Sequence, residues 1–249
     1  MTDAIRVLGG AAADQRERQD QLVGLLRETP VPERELLHNL GLYMTRQTLS
    51  RMLLMHDLYR QQLDVHGIIC EFGVRWGQNL ALWTAFRGMY EPYNYNRRIV
   101  GFDTWEGFPS VDPKDGVKVS VGDYGVTPGY ERHLEQLLSL HEAESPVAHK
   151  RKHELVRGDA TVTFDAYLAE HPETIVSLAY FDFDLYAPTK RCLDLLMPRL
   201  TKGSIVAFDE LNCPEFPGET QAVMETVGLA RYAIRRTPLN PLVSYLVID

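Results

Sequence analysis

The sequence predicts an open α/β fold: a seven-stranded, mostly parallel sheet with helices on both faces, a helical extension before it and an antiparallel hairpin closing it. Three observations carry that expectation. From residue 67 short β-branched runs alternate with helical stretches. Strand then helix, repeated, calls for parallel strands joined by right-handed crossovers. Most of these runs end in an acid, and the chain closes on two strand-like runs joined by a short Pro/Asn turn.

Residues 1–65 read as the helical extension. In TRQTLSRMLLMHDLYRQQL, Leu49, Met52, Leu53, Tyr59 and Leu63 recur at three- and four-residue spacing and make one apolar face. The sheet has its own helices to cover it, so this face is expected to serve assembly and the substrate cleft as well as the core. A homo-oligomer, dimer or larger, follows. Residues 66–249 make the second unit. Its strands are GIICEFG, RRIVGFD, HELVRGD, TIVSLAYFDFD and GSIVAFDE, then the two runs of ARYAIRRTPLNPLVSYLVID as a hairpin. Between the second strand and the third lies a Gly-, Pro- and Asp-rich stretch, residues 104–130, longer than a connection needs. Such loops are commonly functional lids. Its glycines make it mobile, so it is expected to be poorly ordered until an acceptor closes it.

Composition narrows the function. With 249 residues, 45% of them hydrophobic and 24% charged, the chain fits one large α/β domain with an extension. No apolar run reaches the roughly 18 residues of a spanning helix, and the first residues lack a basic, then apolar, export pattern. Neither membrane nor export is expected. Cys70, Cys192 and Cys213 are odd in number and without metal-type spacing, which suits a reducing cytoplasm. A formal charge of −8 argues against a general nucleic-acid binder.

The informative pattern is acids at strand ends: Glu71, Asp103, Asp159, Asp182 and Asp209. Ligands of open α/β sheets bind outside the carboxyl ends of the strands. One acid there is an ordinary cap or turn residue. Five along one edge crowd negative charge that something cationic or hydrogen-bond-donating should offset. After the first strand the chain reads Glu71-x-Gly73-x-Arg75-x-Gly77, with Arg75 where a dinucleotide loop prefers glycine. Gly73 allows a tight turn and a close backbone approach, and Gly77 lets the next helix pack on the strand. Asp103 can take both hydroxyls of a ribose, with Trp105 and Phe108 available to pack on a base or a methionyl chain. Asp159 can accept from an adenine amino group while capping the following helix.

Asp182, Asp209 and Glu210 lie at neighbouring strand ends. Hard carboxylates without His or Cys favour Mg2+ or another divalent cation. Such a cation lowers the pKa of an acceptor hydroxyl, and Asp182 beside it can take the proton. Asp184 can orient the site from the same strand end or be structural. His133 is either a substrate-side base or a solvated helix residue, and Tyr124 and Tyr130 either line a sugar pocket or pack the long loop.

Together, Glu71-Phe72-Gly73, Asp103-Thr104-Trp105-Glu106-Gly107-Phe108-Pro109, Gly158-Asp159, Asp182-Phe183-Asp184-Leu185-Tyr186 and Asp209-Glu210 resemble the macrocin O-methyltransferase family. These are S-adenosyl-L-methionine- and metal-dependent sugar O-methyltransferases of antibiotic biosynthesis. The likeness runs from about residue 56 to 249 and is most specific at Asp-x-Asp-Leu-Tyr. Within the family the chain looks like the branch that methylates a nucleotide-linked, rhamnose-type sugar for an enediyne antibiotic. The resemblance implies the class I methyltransferase fold. It places Glu71, Gly73 and Arg75 at the cofactor, Asp103 and Thr104 at its ribose, Asp159 and Ala160 at the adenine, and Asp182 beside both cofactor and metal. It makes Asp182, Asp209 and Glu210 the metal ligands, with Asp182 doubling as base. The family often has Asp-Asp where this chain has Asp209-Glu210, and residues 104–130 match little. Three further readings remain open: a methyltransferase of an already glycosylated macrolide-type product, an NAD-dependent oxidoreductase, and a non-catalytic module using the N-terminal helices as its surface.

Overall fold

The computed structural model describes Arg6 and residues 13–249. The helical N-terminal part consists of α1 (Ala13–Arg27), the single turn α2 (Glu33–Leu36), a 3₁₀ stretch over Leu37–Tyr43 and α3 (Arg46–Gln61). Thr45 starts α3 by accepting a hydrogen bond from the Thr48 amide at 3.1 Å. Alternation follows: β1 (Ile68–Phe72), α4 (Gln78–Tyr90), β2 (Ile99–Asp103), α5 (Tyr130–Ala143), β3 (His153–Arg157) and α6 (Ala160–Glu170). The second half is β4 (Val176–Phe181), α7 (Tyr186–Leu196), β5 (Leu200–Phe208), α8 (Pro217–Thr226), β6 (Arg235–Arg236) and β7 (Ser244–Val247).

The sheet has seven strands in the order β3-β2-β1-β4-β5-β7-β6. The first five strands run parallel, and β7 is antiparallel to both β5 and β6. The expected fold class is therefore the observed one, including the closing hairpin, although β6 is only two residues long. Strand order reverses between β1 and β4, and a crevice opens at the carboxyl ends beside such a switch point.

Because side chains alternate along a strand, Cys70 and Phe72 face one layer and Ile69 the other. The first layer joins Phe102, Phe164, Phe181, Leu193 and Phe208 under α6, α7 and α8. The second joins Leu178, Tyr180 and Ile205 to Trp83, Leu138 and α3. The expected apolar face of α3 is corrected here. Leu54, Met55, Leu58 and Tyr59 are buried, whereas Leu49 and Leu53 stay 47% and 45% exposed. Met52-Leu53-Leu54-Met55 is apolar at four consecutive positions, so spacing alone does not choose which side faces inward. Packing against α4 chooses the side carrying Leu54. Thus α3 covers the sheet.

Residues 104–130 are packed rather than open. Phe108, Val111, Val119 and Tyr124 cluster with Leu185, Cys213 and Phe216. Asp112 and Asp115 form a reciprocal cap at Pro113–Asp115, and buried Asp115 also accepts from the Tyr186 amide at 2.5 Å. Gly107, at φ +85°, lies so close to the Gly122 and Asp123 carbonyls that no Cβ would fit. The cysteines are all buried and free. Among the described residues, no helix is long and apolar enough to cross a membrane.

Candidate active site

The carboxyl ends of β1, β2, β4 and β5 surround a cavity of about 410 Å3. Its wall includes every residue that the resemblance assigned to cofactor or metal: Glu71, Gly73, Arg75, Asp103, Thr104, Asp159, Ala160, Asp182, Asp209 and Glu210. Asp184, Phe108 and Tyr124 line it too.

The turn after β1 is held by main-chain contacts. Gly73 has φ +90°, and a Cβ there would collide with the Asp182 carbonyl oxygen, so the exits of β1 and β4 touch backbone to backbone. Arg75 has φ +50°, which explains a position where glycine is otherwise preferred. Gly77 begins α4 at φ +76°, and what excludes a side chain there is Leu134 of α5, not the strand the sequence pointed to. Asp103 ties this turn to β2. Its Oδ2 accepts from the Val74 and Arg75 amides at 2.7 Å each, and its Oδ1 from the Trp105 amide at 2.5 Å. A carboxylate has about four acceptor positions, so one remains for a ligand hydroxyl. Thr104 donates to the Gly107 carbonyl at 2.8 Å, and Asp159 caps α6 through the Thr161 amide at 2.9 Å.

Glu71 is almost wholly buried and accepts from Asn79 Nδ2 at 2.7 Å, while its Oε2 has no partner. Burial, against the opposing Asn79 bond, raises its pKa well above the ordinary value. An orphaned buried carboxylate oxygen in a cavity wall asks for a donor, and a cationic one suits it best.

Asn79 and Arg51 link Glu71 to the acid cluster. Burial first, then the charge of Asp209, pushes Asp182 up to about 7, against Arg51 and Arg75. Burial and then Asp209 and Asp182 push Glu210 up to about 8. Asp184, at φ +61°, is raised by burial and then by Glu210. The sequence reading missed Glu219 of α8, fully buried, which binds the Glu210 amide through Oε2 at 2.8 Å. It also missed Arg51 of α3. Its guanidinium donates to Asp209 Oδ1 at 2.6 Å, to Asp182 Oδ2 at 2.9 Å and to Asn79 Oδ1 at 3.3 Å. Tyr180 donates its hydroxyl to the same Asp209 oxygen. Arg51 on a helix of otherwise ordinary surface charge, and Glu219 in a first helical turn, carry no local signal. The role of Arg51 depends on contacts across more than half the chain, and that of Glu219 on the fold of the β5–α8 turn that brings it back to Glu210.

Other expected residues fall elsewhere. Trp105 is buried, donating Nε1 to the Arg75 carbonyl at 3.1 Å, and packs in the core. His133 is exposed on α5. Tyr130 donates to the Trp76 carbonyl and does not line the cavity.

For the metal, the donor set fits: oxygen-only, crowded, and with Asp182 and Glu210 raised by burial and then by neighbouring carboxylates. Yet no three His, Cys, Asp or Glu groups among the described residues converge into a ready ligand set. The Arg51 fork bridges Asp182 and Asp209.

A seven-stranded sheet in this order, with the cavity at its switch point, is the class I methyltransferase fold. Comparison with known proteins specifies it further. No protein-family profile matches the chain, and no curated sequence is significantly similar. Among solved structures, the calicheamicin methyltransferase CalS11 is 43% identical, covering 99% of both chains at a TM-score of 0.93. The apo form of CalS11, described as a TDP-rhamnose 3'-O-methyltransferase of calicheamicin biosynthesis, is 42% identical over 96% of both chains, with a TM-score of 0.86. The O-methyltransferase NovP, 17% identical over 80% of each chain with a TM-score of 0.57, shares the fold. The chain belongs to the family of S-adenosylmethionine-dependent sugar O-methyltransferases that includes CalS11. The resemblance carried by Asp-x-Asp-Leu-Tyr was correct, and the oxidoreductase and non-catalytic readings fall away.

Proposed function

We propose that this enzyme methylates a hydroxyl of a nucleotide-linked, rhamnose-type deoxysugar in antibiotic biosynthesis, with a divalent cation at Asp182, Asp209 and Glu210. The observation that carries this reading is the orphaned Glu71 oxygen in the wall of the same cavity that Asp182, Asp209 and Glu210 line. Near-complete coverage of CalS11 at 43% identity supports the acceptor class.

S-adenosylmethionine supplies a methyl group on an electrophilic sulfonium. A divalent cation supplies charge that acidifies an alcohol. The chain's own residues do the rest. Glu71 accepts from the ammonium of the cofactor, which restores its charge. Asp103 offers its remaining acceptor position to the ribose beside Thr104, Asp159 and Ala160 receive the adenine, and Gly73 and Arg75 line the methionine end. Asp182, raised toward neutrality by burial, accepts the proton of the acceptor hydroxyl at its carboxylate. Segment 104–130 covers the mouth and excludes water.

The test is turnover of TDP-rhamnose against a rhamnosylated macrolide, with and without exhaustive chelation. The nucleotide sugar should be methylated, EDTA should abolish turnover and Mg2+ should restore it. Methylation of the finished glycoside alone overturns the acceptor; full activity of metal-stripped protein overturns the metal.

A further inference from the structure

The acid cluster already contains one cation, and its position bears on how a metal could enter. Arg51 Nη1 lies 2.6 Å from Asp209 Oδ1 and its Nη2 lies 2.9 Å from Asp182 Oδ2. These are short charge-assisted bonds made by one planar fork. An arginine guanidinium does not deprotonate in a protein, so this one is a fixed positive charge between the two carboxyl groups. A hard divalent ion draws carboxylate oxygens to about 2.1 Å and tolerates little deviation. It cannot take the space between Asp182 and Asp209 while a second cation spans it. The absence of any converged three-group ligand set among the described residues fits that geometry.

We infer that Arg51 is a removable counter-cation: the guanidinium and the divalent metal exclude each other at Asp182 and Asp209, and the metal loads only when Arg51 swings away. The inference rests on the metal-dependent reading above and adds a step to it. The swing belongs to the side chain, not to α3. Leu54 and Met55 on the next turn are 1% and 0% exposed and lock the helix to the core. The Arg51 side chain itself is 26% exposed and opens to the cavity, so it has room to leave. In the resting state Arg51 compensates Asp182 and Asp209 by direct contact and Glu210 through space. Metal takes over that duty on loading. An enzyme built this way resists adventitious metal and stays folded without it.

Competition of this kind lowers apparent metal affinity by the fraction of molecules in which Arg51 is withdrawn. The experiment is Mn2+ binding to the full chain without acceptor, followed by the electron paramagnetic resonance of free Mn2+ and by calorimetry, with Mg2+ as competitor. Arg51→Gln should bind Mn2+ about tenfold tighter or more than wild type, as expected if about a tenth of wild-type molecules have the side chain withdrawn. Arg51→Lys, which keeps a charge but loses the fork, should fall between the two. It serves as the deciding variant if the glutamine form does not fold. Equal or weaker Mn2+ binding by a folded Arg51 variant, with wild type binding normally, overturns the exclusion and leaves metal dependence intact. No Mn2+ binding by any of the three overturns both.

Discussion

At the scale of single residues, the site is defined by acids held away from their ordinary pKa. Asp182, Asp184, Glu210 and Glu219 are all raised, mainly by burial and then by one another. A carboxyl whose folded pKa exceeds its unfolded value holds extra protons in the native state. Its contribution to stability therefore falls as pH rises from about 4 through the raised values, which reach about 7 for Asp182 and about 8 for Glu210. Metal-free protein should lose melting temperature from these groups between pH 5 and pH 8, and Asp184→Asn should flatten that slope. Mg2+ should restore more stability at pH 8 than at pH 5, because at low pH protons already neutralise its ligands. Scanning calorimetry across that range checks the point. An Asp184→Asn slope no shallower than wild type contradicts it.

At the scale of elements, the strands and their terminal acids were legible, because β-branched runs ending in Asp or Glu are local patterns. Less legible was anything decided by a partner far along the chain. Arg51 meets Asp209 across 158 positions, and Asn79 supports Glu71 only because α4 turns back over β1. Trp105 had the right composition for a ligand contact and went to the core, since its indole N–H found the Arg75 carbonyl. The segment over residues 104–130 was legible as special by length, but its packing was not. Val119 and Phe108 share a cluster with Leu185 and Phe216, so closure, if acceptor drives it, involves a folded layer and not a random coil. Hydrogen exchange locates the effect. Amides of residues 116–126 should gain protection with S-adenosylhomocysteine plus nucleotide sugar, and little with S-adenosylhomocysteine alone. Equal, slow exchange in the free enzyme shows a fixed cover.

At the scale of the whole molecule, the sheet order and cavity give a complete methyltransferase fold, and the helical N-terminal part adds two things to it. Its α3 helix covers the sheet and supplies Arg51. It also exposes apolar side chains: Leu25, Leu37 and Leu42 are 62%, 80% and 66% exposed, and Leu49 and Leu53 of α3 are 47% and 45% exposed. Where such side chains form one patch they favour association. We expect a homo-oligomer, dimer or larger, and a monomeric mass by light scattering at assay concentrations contradicts this. The contact between Gly73 and the Asp182 carbonyl has a consequence for changing what the enzyme methylates. The loop that would seat the donor in the proposed mechanism and the strand end that would carry its base are braced on each other with no side chain between them. On that proposal the span from methyl source to proton acceptor is set like the gauge of a track, by backbone and not by the segment over residues 104–130. New acceptors should be sought by recutting the layer formed by Phe108, Tyr124 and Phe216, since alterations at the brace shift both reacting ends at once.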